Sequence, residues 1–215
     1  QATGDMELDV AQKGSGIVPV IGFSLKLSEN FVLGFKYEHR AAITLKNETT
    51  RDDTGMYPDG AEVPSDMPSM FSLGAQLGVM PNFRISGTFH YYLDKNAKYG
   101  KMLEGEYVYN DKVMDNNFFE AAFGLEYDIT HRLTASLGYL RTQTGVKEIY
   151  HSDLSHSLST NSLGLGVRFA LNDMVAVNLG GMNTWYIQDI RNFTGYKETY
   201  NRSASVFAIG IDLKI

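Results

Sequence analysis

Cysteine is absent from this 215-residue sequence, and its absence excludes disulfide scaffolds and cysteine-ligated metal sites. No run approaches the roughly 18 apolar residues that a transmembrane helix requires. The 19 basic residues are scattered and the net charge is −6, which argues against a nucleic-acid partner because phosphate neutralisation needs clustered Lys and Arg. Proline is scarce, at five residues, whereas 21 glycines, 13 tyrosines and 12 phenylalanines favour strands over helices. These features favour an all-β protein.

Nine stretches of the chain alternate apolar side chains with small or polar ones. In one stretch, Leu133, Leu137 and Tyr139 fall on one face. Thr134 and Ser136 fall on the other, which is the period of two that a β-strand produces. The nine predicted strands cover residues 16–27, 31–45, 70–80, 83–95, 117–129, 133–146, 159–171, 174–187 and 202–215. The sequence therefore predicts an all-β fold built from antiparallel hairpins.

The joints between the predicted strands alternate strictly between very short and long. The short joints carry the Asn, Asp, Ser and Pro residues typical of tight turns, at residues 28–30, 81–82, 130–132 and 172–173. The long joints are polar, such as residues 46–69, 96–116 and 147–158. A soluble β-sandwich has no reason to sort its turns by length onto two ends, whereas outer-membrane barrels do so routinely, with short turns periplasmic. This asymmetry predicts an antiparallel transmembrane β-barrel.

The two faces of the predicted strands differ in character. One face is apolar and would contact lipid, with Tyr and the single Trp185 near the interfaces: Phe31, Leu33, Phe35, Tyr37, Ile85, Phe89, Tyr91, Leu93, Phe119, Ala121, Phe123, Leu125 and Tyr127. The other face carries charged and polar residues: Lys36, Glu38, Arg40, Arg84, Ser86, Thr88, His90, Glu120, Glu126, Asp128, Arg168 and Asn178. Inside a hydrated barrel these charges can pair across strands or stay solvated. In a soluble β-sandwich the same polar face would be the solvent-exposed one.

The number of predicted strands, nine, is odd. Single-chain bacterial barrels use even numbers of strands, and an unclosed sheet would present unpaired backbone groups to hydrocarbon at its two edges. Since the strand at residues 202–215 ends the polypeptide, we expect further strands on the N-terminal side. A missing segment or a partner chain would supply them.

Several short clusters resemble one known family. They lie at residues 5–23, at residues 27–38 and at residues 68–74, and they are followed by Pro81 and an aromatic-rich strand that ends at Tyr91-Tyr92. The chain resembles the FadL/TodX family of bacterial outer-membrane transport proteins, in the versions found in Bacteroidetes.

The resemblance implies a 14-stranded barrel that carries long-chain fatty acids or other hydrophobic molecules, with an N-terminal hatch plugging the lumen. Residues 1–215 would then be a single barrel domain that comprises the C-terminal nine strands, without the hatch and the first five strands.

Inward cations are the candidate ligand-binding residues, because a cation in a low-dielectric lumen favours an ionised carboxylate. The lumen-facing candidates are Lys36, Arg40, Arg84, His90 and Arg168. The alternative is a structural role, in which the cations pair with Glu38, Glu120 and Glu126 to hold the wall together. Small inward residues would leave room for an acyl chain or a plug: Gly34, Gly74, Gly124, Gly138, Gly164 and Gly166.

Residues for catalysis or metal binding do not form a recognisable pattern. No Ser–His pair stands out, and we expect His151 and His156 to lie in a solvated polar loop with Asp153 and Ser155. Three acidic residues near one another, Asp52, Asp53 and Asp59, supply oxygen ligands of the kind that Ca²⁺ prefers, but they lack the spacing of a calcium loop. We therefore expect neither an enzyme nor a cofactor or metal, and interpret the three aspartates as part of a flexible acidic loop.

The predicted function is passive uptake of long-chain fatty acids or other hydrophobic compounds across the bacterial outer membrane. The expected partners are the lipid bilayer and a fatty acid, detergent or other hydrophobic ligand. Three alternatives stay open: a FadL-like barrel that serves as a scaffold or secretion-system adaptor, a barrel enzyme that acts on lipids, and a soluble β-sandwich.

Overall fold

Nine strands lie side by side in one sheet in the computed structural model, which describes residues 5–103, 106–151 and 156–214. They are β1 (Val20–Ser28), β2 (Phe31–Glu38), β3 (Met70–Met80), β4 (Phe83–Tyr92), β5 (Phe119–Asp128), β6 (Leu133–Gln143), β7 (Thr160–Ala170), β8 (Val175–Tyr186) and β9 (Ser203–Leu213). Each strand pairs antiparallel with the next along the chain, and β1 and β9 form the two edges. The predicted all-β class and the nine strands are confirmed.

Tight turns join the strands in pairs at one end of the sheet, which we name the short-turn end. Side chains close these turns locally: the Asn172 side chain accepts hydrogen bonds from the N–H groups of Met174 and Val175, both at 2.9 Å. The Thr130 hydroxyl accepts from Leu133 at 3.1 Å. Because consecutive strands run in opposite directions, the longer connections all lie at the opposite end, the long-loop end.

The cross-strand register sorts the side chains onto two faces. Gly124, Gly138 and Gly164 lie in one row on one face, which we name the inner face. Leu137 and Leu165 lie in the neighbouring row on the opposite, outer face. Every strand follows the same alternation, because successive side chains of a strand point to opposite sides of the sheet. The predicted division into an apolar and a polar face is therefore present in the structure.

Exposure shows that the sheet curves around its inner face. The small inner residues Ser162 and Ser72 are only 3% and 8% exposed. On the outer face, Phe207 and Ile209 are 86% and 80% exposed. Small side chains on a concave face are shielded by their own neighbours, whereas large ones on a convex face are not. The outer face is thus an extended apolar surface.

The predicted strand at residues 31–45 was too long at its C-terminal end. Residues 31–45 do not form one strand, because β2 ends at Glu38 and the next backbone N–H groups bond outside the sheet. The Arg40 N–H donates to the Ser69 hydroxyl at 2.9 Å, and the Ala41 N–H donates to the Met67 carbonyl at 3.2 Å. Arg40 therefore lies beyond the inner face to which it was assigned.

Residues beyond the end of β2 contribute to a separate three-stranded sheet. Its middle strand is Thr44–Asp52, which pairs with Leu8–Lys13 on one side and with Glu62–Pro64 on the other. Of the predicted strand beyond Glu38, only Thr44 and Leu45 lie in a strand, and that strand belongs to this second sheet.

The predicted polar loops also contain regular structure. Two further hairpins are present, Gly100–Leu103 with Glu106–Tyr109 and Asp189–Phe193 with Tyr196–Tyr200. A helical turn occupies Asn110–Val113, and 3₁₀ turns occupy Asp94–Asn96 and Glu148–Tyr150. The 3₁₀ turn after Tyr92 ends β4 earlier than the predicted 83–95. None of the helices in the described ranges is long and apolar enough to cross a membrane.

Two of the loops share a small core at the long-loop end. Val113 and Met114 are buried there and pack against Val146 and Tyr150. Gly145 joins the same loops, because its carbonyl accepts the N–H groups of Asp115 at 2.9 Å and Asn116 at 3.2 Å. The loops therefore form a packed layer and are not independent flexible segments.

Substituting Gly145→Ala tests this layer. Gly145 has a φ of +66°, and an added Cβ would lie 2.3 Å from the Asn116 carbonyl oxygen, so alanine is strained by both conformation and contact. We expect the free energy of unfolding to fall by about 1–3 kcal/mol. The measurement is a urea titration followed by fluorescence of the single Trp185.

The matched control is Gly60→Ala, at a φ of +72° with open space around the added Cβ. It should lower the free energy of unfolding by a smaller amount, since only the backbone conformation is strained. An equal loss in both variants would contradict the role given to Gly145 in joining the loops.

Candidate functional site: the inner face and its mouth

The middle of the inner face is a band of small residues. Gly124, Gly138 and Gly164 stand in one row, and Gly166 pairs with Gly180 in the row nearer the short-turn end. A Cβ added at Gly138 or Gly164 would approach no other atom closer than 3.8 Å, so close packing does not require glycine there. The band lines a shallow hollow of about 420 Å³. These glycines keep the inner face free of side chains on β5 to β7, and Met182 and Val206 continue the row on β8 and β9.

Charged residues form a network on the short-turn side of this glycine band. Arg84 donates to Glu126 at 2.6 Å and to both oxygens of Asp128 at 2.8 and 2.9 Å. The Thr134 hydroxyl donates to Asp128 at 2.7 Å. Nearby, Arg168 Nε donates to Asp212 at 3.4 Å. The network ties β4 to β5 and β7 to β9, so it braces the wall across several strands.

Polar pairs occupy the inner face on the long-loop side of the glycine band. Lys36 and Glu38 form an ion pair along β2. His90 Nδ1 lies 2.8 Å from the Ser72 hydroxyl. The Thr142 hydroxyl donates to Glu120 at 3.2 Å. The inner face is therefore apolar and open in its middle and polar towards both ends.

The five predicted ligand-binding residues all have protein partners. Lys36, Arg84, His90 and Arg168 lie on the inner face, whereas Arg40 lies at the long-loop end, where its guanidinium is 3.7 Å from Asp66. The structure brings together the pairs that the structural alternative named for Lys36 and Arg84, with Glu38 and Glu126. It does not gather the five residues into one site. Binding of a ligand carboxylate by any of them stays a prediction.

A second hollow, of about 360 Å³, lies at the long-loop end. Its lining is largely aromatic and apolar, with two acids, and includes Asp66, Asp94, Tyr99, Met114, Phe118, Val146 and Tyr150. Asp94 accepts the Phe118 N–H at 2.9 Å, and burial raises the pKa of the Asp94 carboxyl above its ordinary value. Burial also raises the pKa of the Tyr150 phenol. A site of this kind is better suited to an uncharged guest than to an anion.

Sequence reasoning missed this mouth hollow. Its lining comes from four segments of three different connections, within residues 65–68, 94–99, 110–118 and 144–157. The one available signal was the presence of aromatic residues inside otherwise polar loops, such as Tyr99 and Tyr150.

The expectation of a solvated loop around His151 was wrong. His151 is fully buried, because its Nε2 lies 2.9 Å from Asp189 of the following long loop and its ring packs 5.1 Å from that of Tyr200. His156 is exposed beside the same tyrosine, at 5.4 Å between ring centroids. Asp153 and Ser155 lie outside the described residues. The buried His151 thus joins two loops through its pair with the partly exposed Asp189.

The three aspartates considered for Ca²⁺ bind neighbouring loop groups. Asp52 accepts the Tyr57 N–H at 2.6 Å, and its hydrogen bond from the Thr54 hydroxyl lowers the pKa of its carboxyl. Asp53 bonds Arg51, which lowers the pKa of the Asp53 carboxyl, and Asp59 accepts the Thr49 N–H at 2.9 Å. In the described ranges no group of three or more His, Cys, Asp or Glu side chains has the arrangement of a metal site.

Substituting Arg84→Gln tests the charged network. Glu126 and Asp128 would lose their shared cation, and we expect the free energy of unfolding to fall by about 1–2 kcal/mol after discounting for solvent screening. The control is Lys26→Gln, whose pair with Glu29 is largely exposed and should contribute less than about 0.5 kcal/mol. Urea titration of both variants measures the difference, and equal losses would refute a bracing role for Arg84.

Comparison with known proteins finds likeness at the level of fold. No family model matches the sequence. No curated protein matches it either. Among solved structures, the toluene transporter TodX of Pseudomonas putida aligns with a TM-score of 0.58 and 15% identity, over 94% of this chain and 50% of that one.

Two further solved structures align similarly. A FadL homologue of Pseudomonas aeruginosa has a TM-score of 0.59 at 13% identity, over 90% of this chain and 51% of that one. The monoaromatic hydrocarbon channel CymD has a TM-score of 0.57 at 12% identity, over 93% and 51%. This chain spans about half the length of the structures it matches. It has the fold of part of a FadL-type barrel.

Proposed function

We propose that this chain forms part of the wall of an outer-membrane channel for passive uptake of hydrophobic compounds, and that it is not an enzyme. The observation that carries the proposal is the glycine band, an open surface on the inner face of a sheet whose outer face is apolar. A sheet of this kind suits lipid on the outside and a small guest on the inside. The likeness in fold to TodX, CymD and a FadL homologue supports the same reading.

Insertion into a membrane would explain why the outer face is apolar. Exposed residues such as Phe207, Ile209 and Leu165 would be unfavourable in water and favourable in hydrocarbon. The edges β1 and β9 carry backbone groups that must pair before the sheet can lie in a bilayer. We propose that further strands close the barrel, supplied by the same polypeptide or by a partner chain, with the short-turn end in the periplasm.

Partitioning would drive uptake. A guest that leaves water for an apolar surface gains roughly 0.8 kcal/mol for each methylene that it buries. The mouth hollow would take the guest first, and the glycine band would provide its path along the wall. No input of energy beyond the concentration gradient is needed for such a step.

Uncharged compounds fit this wall better than ionised fatty acids do. Lys36, Arg84, Arg168 and Arg40 each lie against a carboxylate, so a fatty-acid head group would have to displace one to bind. The acids of the mouth hollow would also repel it. TodX and CymD are named for toluene and monoaromatic hydrocarbons. We propose ligands of this neutral kind first, and long-chain fatty acids second.

Filling the glycine band tests the channel. The double variant Gly138→Leu/Gly164→Leu places two side chains where open space exists, so we expect a several-fold loss in the initial rate of labelled toluene uptake by intact cells. Folding should be retained because neither added Cβ approaches another atom closer than 3.8 Å. Heat-dependent gel mobility checks that the variant protein is folded.

The matched control is Ala75→Leu, which adds the same side chain to the outer face of β3. It should leave uptake unchanged. Unaltered uptake in the double variant, or a pathway that conducts ions along its whole length, would overturn the proposal. Repeating the assay with labelled oleate ranks the two ligand classes.

A scaffold or adaptor role is the second candidate. The observation that favours it is the packed layer at the long-loop end, with its own small sheets and the pair between the buried His151 and Asp189. A stoichiometric partner protein that co-purifies through these loops, together with uptake that is insensitive to filling the glycine band, would favour this role over the channel.

A further inference from the structure

A hollow also exists on the outer face, opposite to the glycine band. Gly181 on β8 lies in one row between Leu165 on β7 and Phe207 on β9. The hollow around it has a volume of about 540 Å³, and its apolar walls are Leu163, Leu165, Val167, Leu179, Trp185 and Phe207. Gly181 is a break in a wall of large apolar side chains.

Gly181 leaves the floor of this hollow without a side chain, between Leu165 and Phe207. The Phe207 ring leans towards Gly181, since a Cβ added there would lie 3.3 Å from it, and Leu165 lines the same hollow. Leu165 and Phe207 are 64% and 86% exposed, which leaves their apolar surfaces available to a lipid chain.

The outer face changes character immediately above this hollow, towards the long-loop end. Asn183 and Ser205 follow Gly181 and Phe207 as the next outward residues of β8 and β9, and the Ser205 hydroxyl donates to Asn183 at 2.7 Å. On β7 the outward residue at the next row is Asn161, which accepts the Tyr139 hydroxyl at 2.7 Å. A polar patch therefore borders an apolar hollow.

Arg141 supplies a positive charge to this patch. It pairs in register with Asn161, and its Nη2 donates to Gln143 at 2.7 Å while its Nη1 lies 3.4 Å from the Asn161 amide oxygen. Within the described ranges, Arg141 forms no ion pair with a carboxylate. Two neutral amides hold the guanidinium, and its charge is left for an external anion.

The patch is local to one side of the sheet. The outward row formed by Phe71, Tyr91 and Phe119 on β3 to β5 is aromatic, as expected near a membrane interface, and its next member on β6 is Gln143. The aromatic row thus ends at β5, and the outward residues at this level on β6 and β7 are amides and the cation Arg141.

Arg141 on β6 and Gly181 on β8 are two inter-strand spacings apart, about 10 Å. Along the strands they are offset by four residues, about 13 Å, so the distance between them is about 16 Å. One amphiphile can bridge that span with an anionic head and an acyl chain.

We propose that the outer wall formed by β6 to β9 binds a phosphate-bearing lipid of the outer leaflet. Its phosphate would bind Arg141 with the neighbouring amides, and one acyl chain would fill the hollow at Gly181. Charge decides for an anionic lipid over a neutral one, because a guanidinium held by amides matches a phosphate group in shape and sign. The apolar walls of the hollow, on a face that would contact lipid, suit an acyl chain.

The test measures how much lipid is retained by the protein purified from the cells that naturally produce it. The protein is extracted in mild detergent, exposed to diphosphorylated lipid A or to the same lipid without its phosphates, and examined by native mass spectrometry. We expect preferential retention of the phosphorylated form. Arg141→Gln should lower its affinity about tenfold, as expected for the loss of one charge-assisted contact.

Gly181→Leu tests the hollow separately. It should weaken both lipids, because the new side chain occupies the space of the acyl chain, and the exposed Phe207 ring can move aside to accept it. Arg132→Gln, at the short-turn end, and Ala75→Leu, on the outer face of β3, are the matched controls and should bind like the parent protein.

Equal retention of the two lipids, or binding that neither variant changes, would overturn the proposal. A protein subunit that occupies the patch in stoichiometric amount would overturn it as well. Toluene uptake should be normal in Arg141→Gln and Gly181→Leu, because both residues lie on the outer face. This result separates a failure of the lipid site from a failure of the channel.

Discussion

Cross-strand register is the constraint on which the rest of this structure depends. Successive side chains of a strand point to opposite faces, so a slip of one residue in any pair would exchange the faces of a strand. Leu125 and Leu137 would then enter the inner face, and Gly124 and Gly138 would leave a gap in the apolar outer wall. The open inner surface and the largely apolar outer one exist only because the ladder keeps its register from β1 to β9, apart from shifts beside the turns that end β1 and β3.

Charged pairs act within this frame as braces. Arg84 joins Glu126 and Asp128, and Arg168 reaches Asp212 on a strand two positions away. Paired charges leave little net field on the wall, which suits a path for uncharged guests. The one outward cation of the patch, Arg141, is held by amides instead. The difference between a carboxylate partner and an amide partner therefore separates a structural arginine from a candidate binding one.

The sequence predicted the strands better than their ends. Alternation is a local signal, and it identified all nine strands of the sheet and their faces. The end of β2 depends on Ser69 and Met67, which are distant in sequence, so no local pattern could place it. The burial of His151 has the same origin, since its partner Asp189 belongs to another loop. The sequence reading also grouped Arg40 with inward cations because it assumed that β2 continued.

By itself, the sequence determined the class of fold, the division of each strand into an apolar and a polar face, and the sorting of short and long joints. These features follow from a period of two and from turn-forming residues, which act over a few positions. Only the tertiary structure decided which charges pair, how the loops pack into a layer, and where the hollows lie. Those features depend on atoms that the register and the curvature of the sheet bring together from distant parts of the chain.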